Sequence, residues 1–202
     1  MTAVEVVAAG VQRYSIVKRA ADIVGAAVGL MVLSPLLAVI AVVIKLDDPG
    51  PAVFRQTRAG AMHRPFTILK FRTMRVGTPS LSTEELSRHK INPVTRVGIV
   101  LRRTSLDELP QLWNVLVGDM SIVGPRPALL TQEIILKGRE DAGVHVLRPG
   151  VTGLAQVSGR DDLPDTEKLV LDAKYLASFG LLTDLRVVVQ TLSAVLSGAG
   201  NH

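Results

Sequence analysis

Ile23 to Ile44 is a continuous run of uncharged, mostly apolar residues, closed by Asp22 on one side and Lys45 on the other. At about 1.5 Å per residue it forms a helix of roughly 33 Å, enough to cross a hydrocarbon core of about 30 Å. Ser34-Pro35 falls in its middle. Proline removes one backbone hydrogen bond and crowds the carbonyl four residues back, so a break or kink is expected there. The freed carbonyl needs another donor, and the neighbouring serine hydroxyl is a candidate. Two arrangements fit: a kinked spanning helix, or a re-entrant helix that enters and leaves on one face. Lys18 and Arg19 precede the run, and Lys45, Arg55 and Arg58 follow it. Cationic residues prefer the cytoplasmic side, so charge at both ends favours re-entry. No A-x-A-like cleavage site follows, which argues against a signal peptide.

Beyond this run the pattern changes to short elements. Ala52–Gln56 and Phe66–Phe71 are strand-like with Gly60 near the turn, so Pro49–Met74 predicts a β-hairpin. Gly77–Pro93 is polar and predicts mainly loop, with a short helix around Glu84–His89. Val97–Arg103, Leu109–Val117 (ended by Gly118) and Thr131–Gly138 predict helices. Arg148–Arg160 carries Gly150, Gly153 and Gly159 and predicts a loop with little regular structure. Two helices close the chain, the first over Glu167–Phe179. In the second, Leu181, Leu185, Val188, Val189, Leu192, Val195 and Leu196 recur at helical spacing. That stripe suits either a core or a membrane interface.

Composition narrows the class. The 202 residues are 48% hydrophobic with a mean hydropathy of +0.34, high for a domain without lipid contact. Net charge is +5. No acid lies between Asp48 and Glu84, while Arg55, Arg58, Arg64, Lys70, Arg72 and Arg75 do, and that stretch attracts phosphate on anionic lipid or on a substrate. Aromatics are only 3%, which disfavours a nucleic-acid partner. Without cysteine there is no disulfide or thiolate chemistry, and the four histidines show no zinc spacing.

The candidate chemistry centres on Arg102-Arg103-Thr104-Ser105-Leu106-Asp107-Glu108-Leu109-Pro110-Gln111-Leu112. An aspartate at a helix start beside arginines is expected to be ionised, and could attack phosphorus or bind Mg²⁺. Ser105-x-x-Glu108 also reads as a capping box. Pro110 weakens that alternative, because a helix starting near Leu109 leaves proline at its favoured first position and frees Glu108. Gly124-Pro125-Arg126-Pro127 is either a rigid surface turn or a device presenting Arg126 to a phosphate. The glycine loop flanked by Arg148 and Arg160 could cradle a diphosphate but matches no nucleotide fingerprint. Strand alternation places Lys70 and Arg72 on one face, as a phosphate contact or a solvated basic edge.

In order along the chain, Lys18-Arg19-x-x-Asp22, Ser34-Pro35, Gly50-Pro51-x-x-Phe54-x-Gln56-x-Arg58-x-Gly60 and Lys70-Phe71-Arg72-Thr73-Met74 resemble the bacterial sugar transferases, the monotopic polyprenyl-phosphate phosphoglycosyl transferases. Ser105 to Leu112, Gly118-Asp119-Met120-Ser121, Gly124 to Pro127 and Arg148 to Val157 continue the match. The resemblance implies that Asp107 is the nucleophile on the β-phosphate of a UDP-sugar donor. UMP leaves, and polyprenyl (undecaprenyl) phosphate takes the sugar phosphate from the aspartyl intermediate. It implies a role for Glu108 in the acceptor step as base or metal partner, and a Mg²⁺ cofactor with Asp107 as its ligand. Lys70, Arg72, Arg102, Arg126 and Arg148 are the expected substrate-binding residues. Ser158 stands where similar sequences often have asparagine, and the chain looks like the minimal form of the family.

The fold expected is α+β and mostly helical. Residues 1–17 form an N-terminal tail, and 18–46 a re-entrant membrane helix broken at Ser34-Pro35. Residues 47–198 form a small cytoplasmic catalytic domain with a β-hairpin and amphipathic interface helices, at the bacterial inner membrane. Anionic lipid is an expected partner; the sugar and homo-oligomer formation stay open.

Overall fold

In the computed structural model, which describes residues 3–78, 93–159 and 163–197, the apolar run belongs to one helix, α1 (Ala3–Asp47). Residues 3–17, expected as a tail, are helical, because nothing between them and Lys18 stops a helix. Nor is the helix interrupted at Ser34-Pro35. Pro35 leaves the Met31 carbonyl without its usual donor, and the Ser34 hydroxyl supplies one at 2.8 Å. Side-chain repair of this kind lets a proline sit inside a helix. The middle of α1 is bare: Met31 is 77% exposed and Val32 69%.

Both ends of the apolar run are tied down. Arg19 donates to the Val115 and Leu116 carbonyls at 2.6 and 3.0 Å, and the buried Asp22 carboxylate accepts from Ile122 N–H at 3.0 Å. Lys18 pairs with Asp184 at 2.5 Å. At the other end Asp47 accepts from Val97 N–H at 3.2 Å, and Ile40 and Ile44 pack with Ala52, Phe71 and Leu101.

The expected hairpin forms from β1 (Val53–Ala59) and β2 (Pro65–Phe71), antiparallel with Val53 opposite Phe71 and Ala59 opposite Pro65. Helix α2 (Arg96–Arg103) follows, its first turn capped by Thr95, whose hydroxyl accepts from Gly98 N–H at 2.9 Å. Gly98 allows this helix to touch the Thr73 backbone, since a Cβ there would meet the Thr73 carbonyl oxygen at 2.2 Å. Helix α3 (Gln111–Val117) ends at Gly118, which takes the left-handed conformation with φ 104°. Its buried Asn114 reads the outer edge of β2 as a strand would. The amide donates to Thr67 O at 2.8 Å, and the carbonyl accepts from Leu69 N–H at 3.0 Å. Behind this contact Ala26, Ile68, Val115 and Met120 form a second core.

Segment Arg148–Arg160 departs from the expected loop. Gly150–Thr152 is a strand, β4, parallel to β3 (Ser121–Val123), and Leu154–Ser158 is a short helix, α5. Gly150 and Gly153 serve backbone packing. A Cβ on Gly150 would lie 2.1 Å from Gly124 N, and one on Gly153 2.0 Å from Gly124 O. The Gly150 N–H is already given to Pro125 O at 2.8 Å and is not free for a phosphate. Arg160 and the helix expected at Glu84–His89 lie outside the described residues.

The remaining helices, α4 (Glu133–Asp141), α6 (Asp165–Ala177) and α7 (Leu181–Ser197), fall near their expected positions. Val123, Tyr175 and Val187 make the third core. In α7 the apolar stripe faces outward: Leu181, Leu185, Val189 and Leu192 are exposed, whereas Asp184 and Val187 are buried. Asp184 is satisfied inside by Lys18 and by the Tyr175 hydroxyl at 2.6 Å. The chain is thus mostly helical, with two small two-stranded sheets and one long apolar helix among the described residues.

Candidate active site

The Asp107-Glu108 pair sits in a tight 3₁₀ turn, Leu106–Glu108, between α2 and α3. Ser105 makes the corner in the left-handed region with φ 56°, a conformation that costs energy for a residue other than glycine and clusters at functional sites. The capping box does not form: the Ser105 side chain makes no cap bond. Glu108 instead turns to Lys70 Nζ at 2.6 Å and Arg126 Nη1 at 3.5 Å. Pro110 immediately precedes α3, as the later helix start requires. Lys70 arrives from β2, one residue past the Leu69 N–H that Asn114 holds.

Arg126 is presented by a loop in which the carbonyls of Pro125, Arg126, Pro127 and Ala128 are engaged from outside. Pro125 O accepts from Gly150 N–H at 2.8 Å, and Arg126 O from Arg139 Nη1 at 2.9 Å. Pro127 O accepts from Arg58 Nη1 at 3.2 Å, and Ala128 O from Ala59 N–H at 2.9 Å. Arg139 is itself buried and doubly bonded to Asp172, at 2.9 Å from Nε and 2.7 Å from Nη2. The loop is a clamped support for one guanidinium.

The adjacent carboxyls are pushed in opposite directions. Burial, with the Glu108 charge beside it, outweighs Lys70 and Arg102 and pushes Asp107 up to about 6. This corrects the expectation that neighbouring arginines would depress it: burial costs the anion more than they return. Above neutral pH Asp107 is still mostly ionised, and among the described residues no ion pair neutralises its carboxylate. For Glu108, burial works upward too, but Lys70 and Arg126 overcome it and hold the carboxyl below its ordinary value. One carboxylate is locked into a charge cluster, and the other has no ion-pair partner among the described residues.

The family model for bacterial sugar transferases matches residues 13–198, nearly the whole chain. The chain belongs to the bacterial sugar transferase family. A UDP-glucose:undecaprenyl-phosphate glucose-1-phosphate transferase of Caulobacter vibrioides is 43% identical, over 89% of this chain and 70% of that protein. Exopolysaccharide production protein PSS of Rhizobium leguminosarum is 37% identical, over 90% of this chain and 96% of its own length. A UDP-N-acetylgalactosamine-undecaprenyl-phosphate N-acetylgalactosaminephosphotransferase of Aeromonas hydrophila is 38% identical over 93% of this chain, which spans 45% of that longer protein.

This sugar transferase brings together Asp107, Glu108, Lys70 and Arg126, with Arg102 acting on Asp107 while its Nε donates to the Thr73 hydroxyl at 2.9 Å. Two other expected residues lie elsewhere. Arg72 follows the last residue of β2, where strand alternation no longer sets direction, and is buried against the Asp48 carbonyl and carboxylate. Arg148 Nε donates to the Gly118 carbonyl at 2.9 Å, at the end of α3 remote from Glu108. Two residues not among the expected substrate-binding set line the cleft beside Lys70, Glu108 and Arg126: Arg58, named only within the basic stretch, and Gln111. The signal for Arg58 was its spacing from Gln56, two apart on a strand. Its guanidinium bonds the Gln56 side-chain oxygen at 2.6 and 3.1 Å.

The residues present fit a magnesium ion. Mg²⁺ typically binds one or two carboxylates together with substrate phosphates and water rather than an all-protein cage. Asp107, a partly buried carboxylate, is the residue that would serve as such a ligand. No cluster of three or more acidic, histidine or cysteine ligands occurs among the described residues, so the remaining ligands would come from substrate and solvent.

Proposed function

We propose that this enzyme transfers a sugar-1-phosphate from a UDP-sugar to polyprenyl (undecaprenyl) phosphate through a covalent phosphosugar-aspartyl intermediate. The observation carrying this reading is Asp107, an ionisable carboxylate without an ion-pair partner, beside a fixed cluster of Glu108, Lys70 and Arg126. An Asp107 carboxylate oxygen attacks the β-phosphorus, and the bond to the bridging oxygen of UMP breaks. UMP leaves with the negative charge that Lys70 and Arg126 are placed to balance. An oxygen of polyprenyl phosphate then attacks the same phosphorus. The aspartyl oxygen–phosphorus bond breaks, giving polyprenyl-diphosphate-sugar and free Asp107. When bound, Mg²⁺ supplies positive charge against the diphosphate, with Asp107 as its protein ligand.

Glu108 suits electrostatic support better than proton transfer. Its carboxyl is held below its ordinary value by two cations, which makes it a weak base. The acceptor needs little help, since a phosphate monoester with a second pKa near 6 is largely dianionic at neutral pH.

Membrane placement follows from α1. It is long and apolar enough to cross a bilayer, yet Lys18–Asp22 and Ile40–Asp47 are both bonded or packed into the same catalytic domain. That arrangement supports a re-entrant helix whose two ends share the cytoplasmic face of the inner membrane; because α1 runs on through Ser34-Pro35, re-entry takes a bend at the proline rather than a break. The outward stripe of α7 supports an interfacial helix on the same side.

The deciding experiment incubates the purified protein with UDP-sugars and Mg²⁺, with and without undecaprenyl phosphate. The expected results are UMP release and, from donor alone, an intact-protein mass gain of one sugar phosphate, both absent in Asp107→Asn. UMP released only when acceptor is present, with no mass gain, would replace the covalent route by direct transfer.

A further inference from the structure

Gln111 is 2% exposed, and its Nε2 is buried with no hydrogen-bond partner. An amide nitrogen in that state costs stability, and native proteins rarely leave one unexplained. Asn114, one turn later on α3 and equally buried, is bonded at both ends of its amide. The difference lies in location. Gln111 lines the cleft shared with Arg58, Lys70, Glu108 and Arg126, whereas Asn114 faces the edge of β2. The cleft opens to solvent. Three cations against one carboxylate give it a net positive lining.

We propose that Gln111 is a substrate-contacting residue whose side-chain amide hydrogen-bonds a phosphate oxygen of the group held between Lys70 and Arg126. This rests on the transferase reading above, which supplies two phosphate sources: the donor diphosphate and the acceptor monophosphate. Rotating the amide about its last torsion presents either end to the cleft, and the NH₂ end matches an anionic oxygen. In the absence of substrate the amide is an internal cost. With substrate bound the cost is recovered, and the binding surface gains a neutral, directional donor among cations that attract but do not orient.

The test uses the full chain with Gln111→Met, which fills the same volume without polar atoms, and Gln111→Glu, which keeps the shape but replaces the donor by an anion. With substrate absent, Gln111→Met should melt about 2–4 °C higher, the shift expected for removing one buried unsatisfied group in a chain of this size. Its kcat/KM for UMP release should fall at least about tenfold, and Gln111→Glu should fall further. The KM that rises identifies the source: that for UDP-sugar points to the donor diphosphate, that for undecaprenyl phosphate to the acceptor. Unchanged kcat/KM and KM in Gln111→Met, with UMP release normal in wild type, overturns the inference and leaves a buried water as the partner of the amide. Absence of UMP release in wild type would instead sink the transferase reading. Gln111 is then judged by the thermal shift that UDP or inorganic pyrophosphate gives. A shift undiminished in Gln111→Met counts against the contact, and its loss supports it.

Discussion

Adjacent carboxylates with opposite pKa shifts make opposite predictions. Asp107, pushed up to about 6, binds a proton more readily in the folded chain than in the unfolded one. Its contribution to stability is therefore present below the unfolded value near 4 and is lost as pH rises through about 6. Asp107→Asn should stabilise the protein above pH 6, by up to about 3 kcal/mol, and have little effect below pH 4, while turnover disappears. Thermal melts across that range read the difference; destabilisation at pH 7.5 would contradict it. The same ionisation should shape the first half-reaction. UMP release from UDP-sugar alone should rise with pH through about 6 and then level. The donor half-reaction isolates this, because the acceptor phosphate titrates in the same range. Glu108 has the opposite sign, since its depressed carboxyl adds stability above its unfolded value and loses it as pH falls through the folded one. Glu108→Gln strips Lys70 and Arg126 of their shared countercharge and should destabilise the chain at pH 7 by roughly 1–3 kcal/mol. A melt unchanged at pH 7 would show that the cluster contributes nothing to the fold.

At the scale of elements, the Arg126 loop is only as rigid as the groups that hold its carbonyls. Arg139 reaches the Arg126 carbonyl from α4, and Asp172 holds Arg139 from α6. Arg139→Met, paired with Asp172→Leu so that no buried charge is stranded, should lower donor kcat/KM about tenfold. Placed in an Arg126→Ala background, the same pair should lower it little further, because both changes act through one guanidinium. Independent, multiplying losses would mean that the clamp supports the fold at large. None of this clamp was legible in the sequence. Hydrophobic periodicity marked the helices and the hairpin, and the Pro-Arg-Pro spacing marked Arg126, because those signals are local. Arg139 carries no local signal, its partners being 13 and 33 positions away. The glycines of Arg148–Arg160 failed for the same reason. What Gly150 and Gly153 accommodate is the backbone of Gly124, distant in sequence, so a loop was expected where β4 and α5 form. In α7 the period was right, but which face turns inward is set by Lys18 and Tyr175, which neutralise Asp184 inside.

For the whole molecule, the arrangement of α1 decides how the enzyme meets lipid. Lys18 is buried against Asp184, to which the Tyr175 hydroxyl donates, and the same hydroxyl oxygen lies 3.2 Å from Val123 O, one residue before the Gly124-Pro125-Arg126-Pro127 loop. The start of the apolar run is thereby joined to the core under Arg126. Its end is joined through Asp47 to α2, which leads to Asp107. A spanning helix would have to release one of these anchors and strand Asp22 or Asp184 without its partner, at a cost of several kcal/mol for a buried charge. Re-entry keeps both. The chain has no cysteine of its own, so single replacements report topology cleanly. Ile16 and Leu46, 71% and 79% exposed, flank the apolar run and lie on opposite sides of Pro35. Ile16→Cys and Leu46→Cys should both resist a membrane-impermeant maleimide applied to intact cells, and both react in inside-out vesicles. Met31→Cys, at the deepest turn, should stay protected in both until detergent is added. Labelling of Ile16→Cys from outside and Leu46→Cys from inside would establish a span. The anchors of Lys18, Arg19 and Asp22 would then have to be broken in the membrane-bound enzyme, and activity in such a protein would require an active site assembled without them.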